Sequence, residues 1–150
     1  LLKRFIIDKW VSKHALSMCK SILQKMKNLL TVGGKFVFAV DTVFGRHDDN
    51  MYKVCASVKT KEGYELILKM KNRYDEDSQT QFSPSVYELY NGTELLKSEN
   101  MDFQTHLYRY GEMEEYLRKC GFKSIVTYSN YQKELANNDE CEMFIYECSV

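Results

Sequence analysis

Ala15, Leu16, Cys19, Ile22, Leu23, Met26, Leu29 and Leu30 recur at helical spacing, and Lys13, Lys20, Gln24, Lys25 and Lys27 fill the opposite face. This pattern predicts a helix from about Ser12 to Leu30, stopped by Gly33-Gly34 as a helix C-terminal turn requires. Immediately afterwards Lys35–Asp41 is an almost unbroken apolar run of strand length ending on an acid. A strand apolar on both faces suits a sheet covered on both sides. The opening Phe5-Ile6-Ile7-Asp8 is a shorter run of the same kind. Together they read strand, helix, strand, a βαβ unit, and place the chain in the α/β class.

The middle third changes period. Tyr52–Lys59 and Tyr64–Tyr74 alternate around Lys61-Glu62-Gly63, while Ser85–Tyr90 and Glu94–Tyr110 flank Asn91-Gly92, a strong hairpin signal. An antiparallel meander rich in tyrosine is expected, with Pro84 placed before its third strand, where a missing N–H costs least. Tyr87, Tyr90, Tyr108 and Tyr110 read first as sheet packing.

The last third returns to α/β rhythm. Met113, Tyr116, Leu117 and Cys120 mark a short helix with Glu112, Glu114 and Glu115 in its first turn and Arg118 and Lys119 in its last, as the helix dipole favours. Gly121 ends it, and strands are expected at Phe122–Tyr128 and Cys141–Cys148, joined by the polar loop Ser129–Glu140. With no helix between them, these two strands must pair antiparallel or lie apart.

At 150 residues a single domain is expected. Lys+Arg and Asp+Glu are both 21, so no broad cationic field is available and nucleic acid is not an expected partner. No apolar run approaches the roughly 18 residues of a membrane span. Nor does the start LLKRFIIDKW resemble a secretory signal. The expected location is cytoplasmic. Cys19, Cys55, Cys120, Cys141 and Cys148 are scattered, without a C-x-x-C, and read as small buried hydrophobes rather than zinc ligands or disulfides. No metal site is expected.

Cofactor and nucleophile motifs are sparse. The seven glycines punctuate elements or loops and leave no G-x-G-x-x-G for a dinucleotide or phosphate. There is no G-x-S-x-G. Asp48-Asp49, Asp75-Glu76-Asp77 and Asp139-Glu140 read as solvated turns.

Two longer motifs carry a family resemblance. Leu29-Leu30-Thr31-Val32-Gly33-Gly34-Lys35-Phe36-Val37-Phe38 resembles the L-L-x-P-G-G segment before the fifth strand of class I S-adenosylmethionine-dependent methyltransferases, with Val32 in place of the proline. Tyr108–Phe122 resembles that family's last helix and its entry to the sixth strand, R-Y-[ST]-x-x-E-[LM]-x-x-x-L-x-x-[AC]-G-F. The resemblance implies the C-terminal part of a Rossmann-like methyltransferase sheet with a reversed last strand. Residues 46–110 would form an inserted antiparallel lid over the substrate. The first three βα units of such a fold have no counterpart, roughly 90 residues at about 30 per unit.

The same resemblance implies methyl transfer from S-adenosylmethionine to a small-molecule acceptor. In open α/β sheets ligands sit beyond the carboxyl ends of the strands. Asp8, Lys9 and Trp10 would therefore line the cofactor cleft, with Trp10 offering a π-face to the sulfonium. Asp41, Arg46, Arg109 and Tyr110 would line the substrate side, and Thr42 is a further candidate to line the cleft. His106 is the candidate general base, because histidine alone has an ordinary pKa near neutrality. Asp8 and Asp41, each ending a strand, are equally readable as turn residues, and Trp10 as packing. If the leading strands are missing, a second copy or a partner is expected to cover the exposed sheet edge. The competing classes are a non-catalytic α/β interaction module and a small-ligand binding domain carried by the meander.

Overall fold

The computed structural model describes residues 13–150, so the expected strand at Phe5–Asp8 lies outside the described residues. The described chain forms two compact units: one includes residues up to Arg46 together with His106–Val150, and the other is His47–Thr105.

In the first unit α1 (Lys13–Asn28) leads into β1 (Lys35–Asp41), and α2 (Glu112–Lys119) precedes β6 (Ile125–Tyr128) and β7 (Met143–Ser149). The sheet order is β1-β7-β6, and β7 runs antiparallel to both neighbours, from Lys35↔Ser149 to Asp41↔Met143 and from Ile125↔Cys148 to Tyr128↔Ile145. Because successive residues alternate faces, Phe36, Phe38 and Val40 share one face with their partners Cys148, Tyr146 and Phe144. That face meets Leu23, Met113, Leu117, Cys120 and Phe122 to make the core. Phe38 stacks on Tyr146 at 5.4 Å and Phe36 on Phe38 at 4.7 Å.

The apolar run of β1 predicts cover on both faces, but Val37 is 42% exposed and only one face is covered among the described residues. On the uncovered face Glu147 accepts hydrogen bonds from Lys35 at 2.5 Å and Lys133 at 3.0 Å. In α1, Leu23 is buried, whereas Leu29 is 77% exposed because the helix has already ended at Asn28.

α2 ends on a Schellman turn. Gly121 takes φ +86°, its N–H donates to Arg118 O, and Phe122 N–H donates to Leu117 O at 3.1 Å. Phe122 and Leu117 are both buried in the core, which ties the cap to packing.

The second unit is a four-stranded sheet in the order β2-β3-β4-β5: β2 (Asp49–Lys59), β3 (Glu65–Asp75), β4 (Thr80–Asn91) and β5 (Glu94–His106). The β2·β3 and β3·β4 pairings are antiparallel. Pro84 falls inside β4 rather than before it. The pairing of β3 with β4 runs to Met70↔Ser85 and resumes at Arg73↔Phe82, so the ladder opens at the residue that has no N–H to give.

Other boundaries also shift. Asp49 begins β2 instead of lying in a turn, since its Oδ2 accepts from Asn72 and lies 3.5 Å from Lys53 Nζ. Cys141 precedes β7 and is only partly buried, while Cys120 and Cys148 are buried as expected and Cys55 is exposed on the sheet edge strand β2. No helix among the described residues is long and apolar enough to cross a membrane.

Candidate functional site

The carboxyl end of β1 is stitched to the segment entering α2. Tyr108 N–H donates to Asp41 O at 2.9 Å, and Val43 N–H donates to Tyr108 O at 3.2 Å. These bonds make a parallel bridge between Thr42 and Tyr108. Thr42 is fully buried, and its hydroxyl donates to the carbonyl of Cys141. One side chain thus ties the end of β1 to the approach of β7. A 3-10 turn, Val43–Gly45, follows, and Arg46 closes it by donating Nη1–H to Val43 O at 2.8 Å.

His106 and Glu112 meet on the other side of this junction. His106 Nε2 lies 2.9 Å from Glu112 Oε1, and the imidazole stands edge-on to Tyr108 with centroids 4.7 Å apart. Gly111, in the left-handed region at φ +80°, turns the chain into α2 without offering a capping side chain. Glu112 takes that role, because its Oε2 accepts Arg109 N–H at 3.1 Å. A carboxylate at a helix N-terminus is favoured by the dipole, so the group that orients His106 is itself held in place. An ionised Glu112 can only accept, which makes Nε2 the protonated nitrogen and leaves the basic lone pair of neutral His106 on Nδ1.

Tyr110 completes the cluster. Its N–H donates to Asp139 Oδ1, and its ring, 41% exposed, lies 5.9 Å from Phe144. Beneath it Tyr146 is fully buried, and its hydroxyl has no hydrogen-bond partner among the described residues. Burial first, then the charges of Glu114 and Glu112, push the Tyr146 phenol well above its ordinary range. Tyr146 therefore stays neutral.

Asp41, Arg46, His106, Arg109 and Tyr110 thus all fall in the first unit, at or near the end of β1 and the start of α2. The carboxylate of Asp41 is exposed. The Arg46 guanidinium is turned onto its own 3-10 turn, and Arg109 contributes its backbone N–H to the Glu112 cap. Asp8, Lys9 and Trp10 lie outside the described residues. Two residues were missed. Glu112 reads in sequence only as a dipole-compatible acid, although its spacing from His106 across Gly111 is a usable signal. Asp139 reads as a solvated turn, and nothing local links it to Tyr110, 29 positions away. Among the described residues no group of three His, Cys, Asp or Glu side chains is disposed to hold a metal ion.

The fold is similar to that of S-adenosylmethionine-dependent methyltransferases. The methyltransferase CcbJ from Streptomyces caelestis superposes with a TM-score of 0.61 and 12% identity over 90% of this chain and 51% of its own. An S-adenosylmethionine-dependent methyltransferase from Clostridium acetobutylicum gives 0.61 and 15% over 90% of this chain and 52% of its own. The sugar N-methyltransferase KedS8 from a Streptoalloteichus species gives 0.61 and 13% over 90% and 50%. The chain spans about half the length of these structures. No family model matches the sequence, and no curated protein matches it.

Proposed function

We propose that this chain is the C-terminal part of a class I, Rossmann-like methyltransferase fold that transfers a methyl group from S-adenosylmethionine to a small-molecule acceptor. The observation that carries the reading is the sheet order β1-β7-β6, with β7 reversed against both neighbours, in a chain whose fold matches several such enzymes. In this reading residues 46–110 serve as the substrate lid, and the end of β1 forms part of the cleft.

S-adenosylmethionine supplies an electrophilic methyl on a cationic sulfur, and such a cation is favoured by acids and aromatic faces. Asp41, exposed at the end of β1, and Phe44, 53% exposed in the 3-10 turn that follows, are the acid and the aromatic face proposed for that role. Asp8, Lys9 and Trp10 are proposed to complete the cofactor side. His106 takes the acceptor proton, and Glu112 fixes its tautomer. Arg46, Arg109 and Tyr110 are proposed to orient the acceptor. Methyl transfer is an in-line displacement, so alignment and exclusion of water do most of the work. That one similar structure is a sugar N-methyltransferase supports an acceptor of small-molecule size.

The test incubates the full-length protein with methyl-labelled S-adenosylmethionine and a panel of small amines and alcohols. Label appearing in an acceptor supports the reading. A protein that binds the cofactor yet labels only nucleic acid or protein contradicts the small-molecule assignment. A protein that labels nothing and binds no cofactor supports a non-catalytic module instead.

A further inference from the structure

In the second unit two interruptions of strand pairing fall at one place. β2 and β3 pair at Asp49↔Asn72 and again from Lys53↔Met70, with a register shift between. β3 and β4 part between Met70↔Ser85 and Arg73↔Phe82. Lys71 therefore has no ladder partner on either side. The register shift between β2 and β3 is a bulge of the kind that re-aims side chains, while β3 and β4 keep one register across their gap. Here the two interruptions leave a cavity of about 210 Å³ lined by Asn50, Lys71, Asn72, Arg73, Phe82 and Pro84.

Its two cations are held but not neutralised. Lys71 Nζ sits 5.2 Å from the Tyr52 ring centroid, and the Arg73 guanidinium lies 4.4 Å above Phe82. Aromatic faces fix such groups while leaving their charge intact. Nearby carboxylates have other partners. Glu88 binds Lys69 at 2.7 Å, Asp75 accepts from Ser78, and Asp49 faces Asn72 and Lys53. Among the described residues no carboxylate pairs with Lys71 or Arg73.

We propose that this cavity binds a dianionic phosphate group. Lys71 and Arg73 are two residues apart on one strand and so share a face, about 7 Å apart along it. The planar guanidinium fork grips two phosphate oxygens while the ammonium supplies a point charge. The unit as a whole, His47–Thr105, carries seven Lys and Arg against eleven Asp and Glu, a net charge of −4. A long polyanion is therefore disfavoured, and a single phosphate, free or as the monoester of a small molecule, is the matching ligand. The site does not depend on methyl transfer.

The test is an amide chemical-shift titration of the full chain with inorganic phosphate, phenyl phosphate and, at matched ionic strength, sodium chloride. Saturable shifts centred on Asn50, Lys71–Arg73 and Phe82 are expected. The double variant Lys71→Gln/Arg73→Gln should bind at least tenfold more weakly, while Lys97→Gln, an exposed cation elsewhere in the unit, should bind normally. Arg73 is exposed and Lys71 half-buried, and the folding of both variants is read in the same spectra. Tighter binding of phenyl phosphate assigns the monoester, and equal binding assigns the free anion. Shifts that match chloride, fail to saturate or persist in the double variant overturn the proposal. Saturation by single-stranded RNA alone overturns it in favour of a polyanion site.

Discussion

Glu112 binds His106 with one carboxylate oxygen, Oε1 at 2.9 Å from Nε2, and caps its own helix with the other, Oε2 at 3.1 Å from Arg109 N. A single acid therefore sets both the start of α2 and the tautomer of the proposed base. His106→Ala should lower turnover by about 10²- to 10⁴-fold, the usual range for a positioned base, while leaving cofactor affinity unchanged. Glu112→Gln should lower turnover less and shift the pH–rate profile, because it alters how the imidazole is held. A steady-state pH profile of both variants checks this, and a Glu112→Gln profile that superposes on the wild type removes the positioning role.

Leu117 has no exposed surface and lies in the core beside Met113, Phe122 and Phe144. Leu117→Ala should cost about 2–5 kcal/mol, the range for deleting buried methyl groups where the site cannot collapse. Urea unfolding monitored by circular dichroism reads it. Leu29→Ala, at a 77% exposed position, should change the midpoint little.

Hydrogen bonds from Lys35 and then Lys133 hold the Glu147 carboxyl below the ordinary carboxylate range. A carboxyl whose folded pKa is depressed contributes stability above its unfolded pKa and loses it as pH falls through the folded value. Thermal melts from neutral pH down into the acid range should therefore show a steeper loss for the wild type than for Glu147→Gln. Parallel losses in the two proteins would contradict the linkage.

Brief alkylation of the native chain followed by peptide mapping should modify Cys55 before Cys148. It is exposed, whereas Cys148 is buried and desolvation pushes its thiol up to about 12. Modification of Cys148 at a rate equal to Cys55 would show that the β1·β7 core face opens.

The elements were legible where local chemistry decides them. The glycine at 121 and the first-turn acids Glu112, Glu114 and Glu115 define α2, and Asn91-Gly92 defines a hairpin, without reference to distant residues. What distant pairing decides was not legible. The placement of Pro84 inside β4 depends on the register with β3, and the exposure of Val37 depends on which faces of the sheet are covered. The reversal of the last strand was implied by the family resemblance alone, since its pairing with β1 joins residues more than 100 positions apart and leaves no local signal. At the candidate site His106 is proposed as the base on its own chemistry. Glu112 became meaningful only once Gly111 folded it back, and Asp139 only once the loop before β7 reached Tyr110.

The account rests on this chain contributing to a cleft for S-adenosylmethionine. Isothermal titration of that cofactor into the full-length protein is the most direct measurement, with Trp10→Ala as the comparison. Saturable binding, weakened at least tenfold in the variant, is the predicted result. An absence of binding heat at two temperatures, with protein on the order of 100 μM, would contradict it.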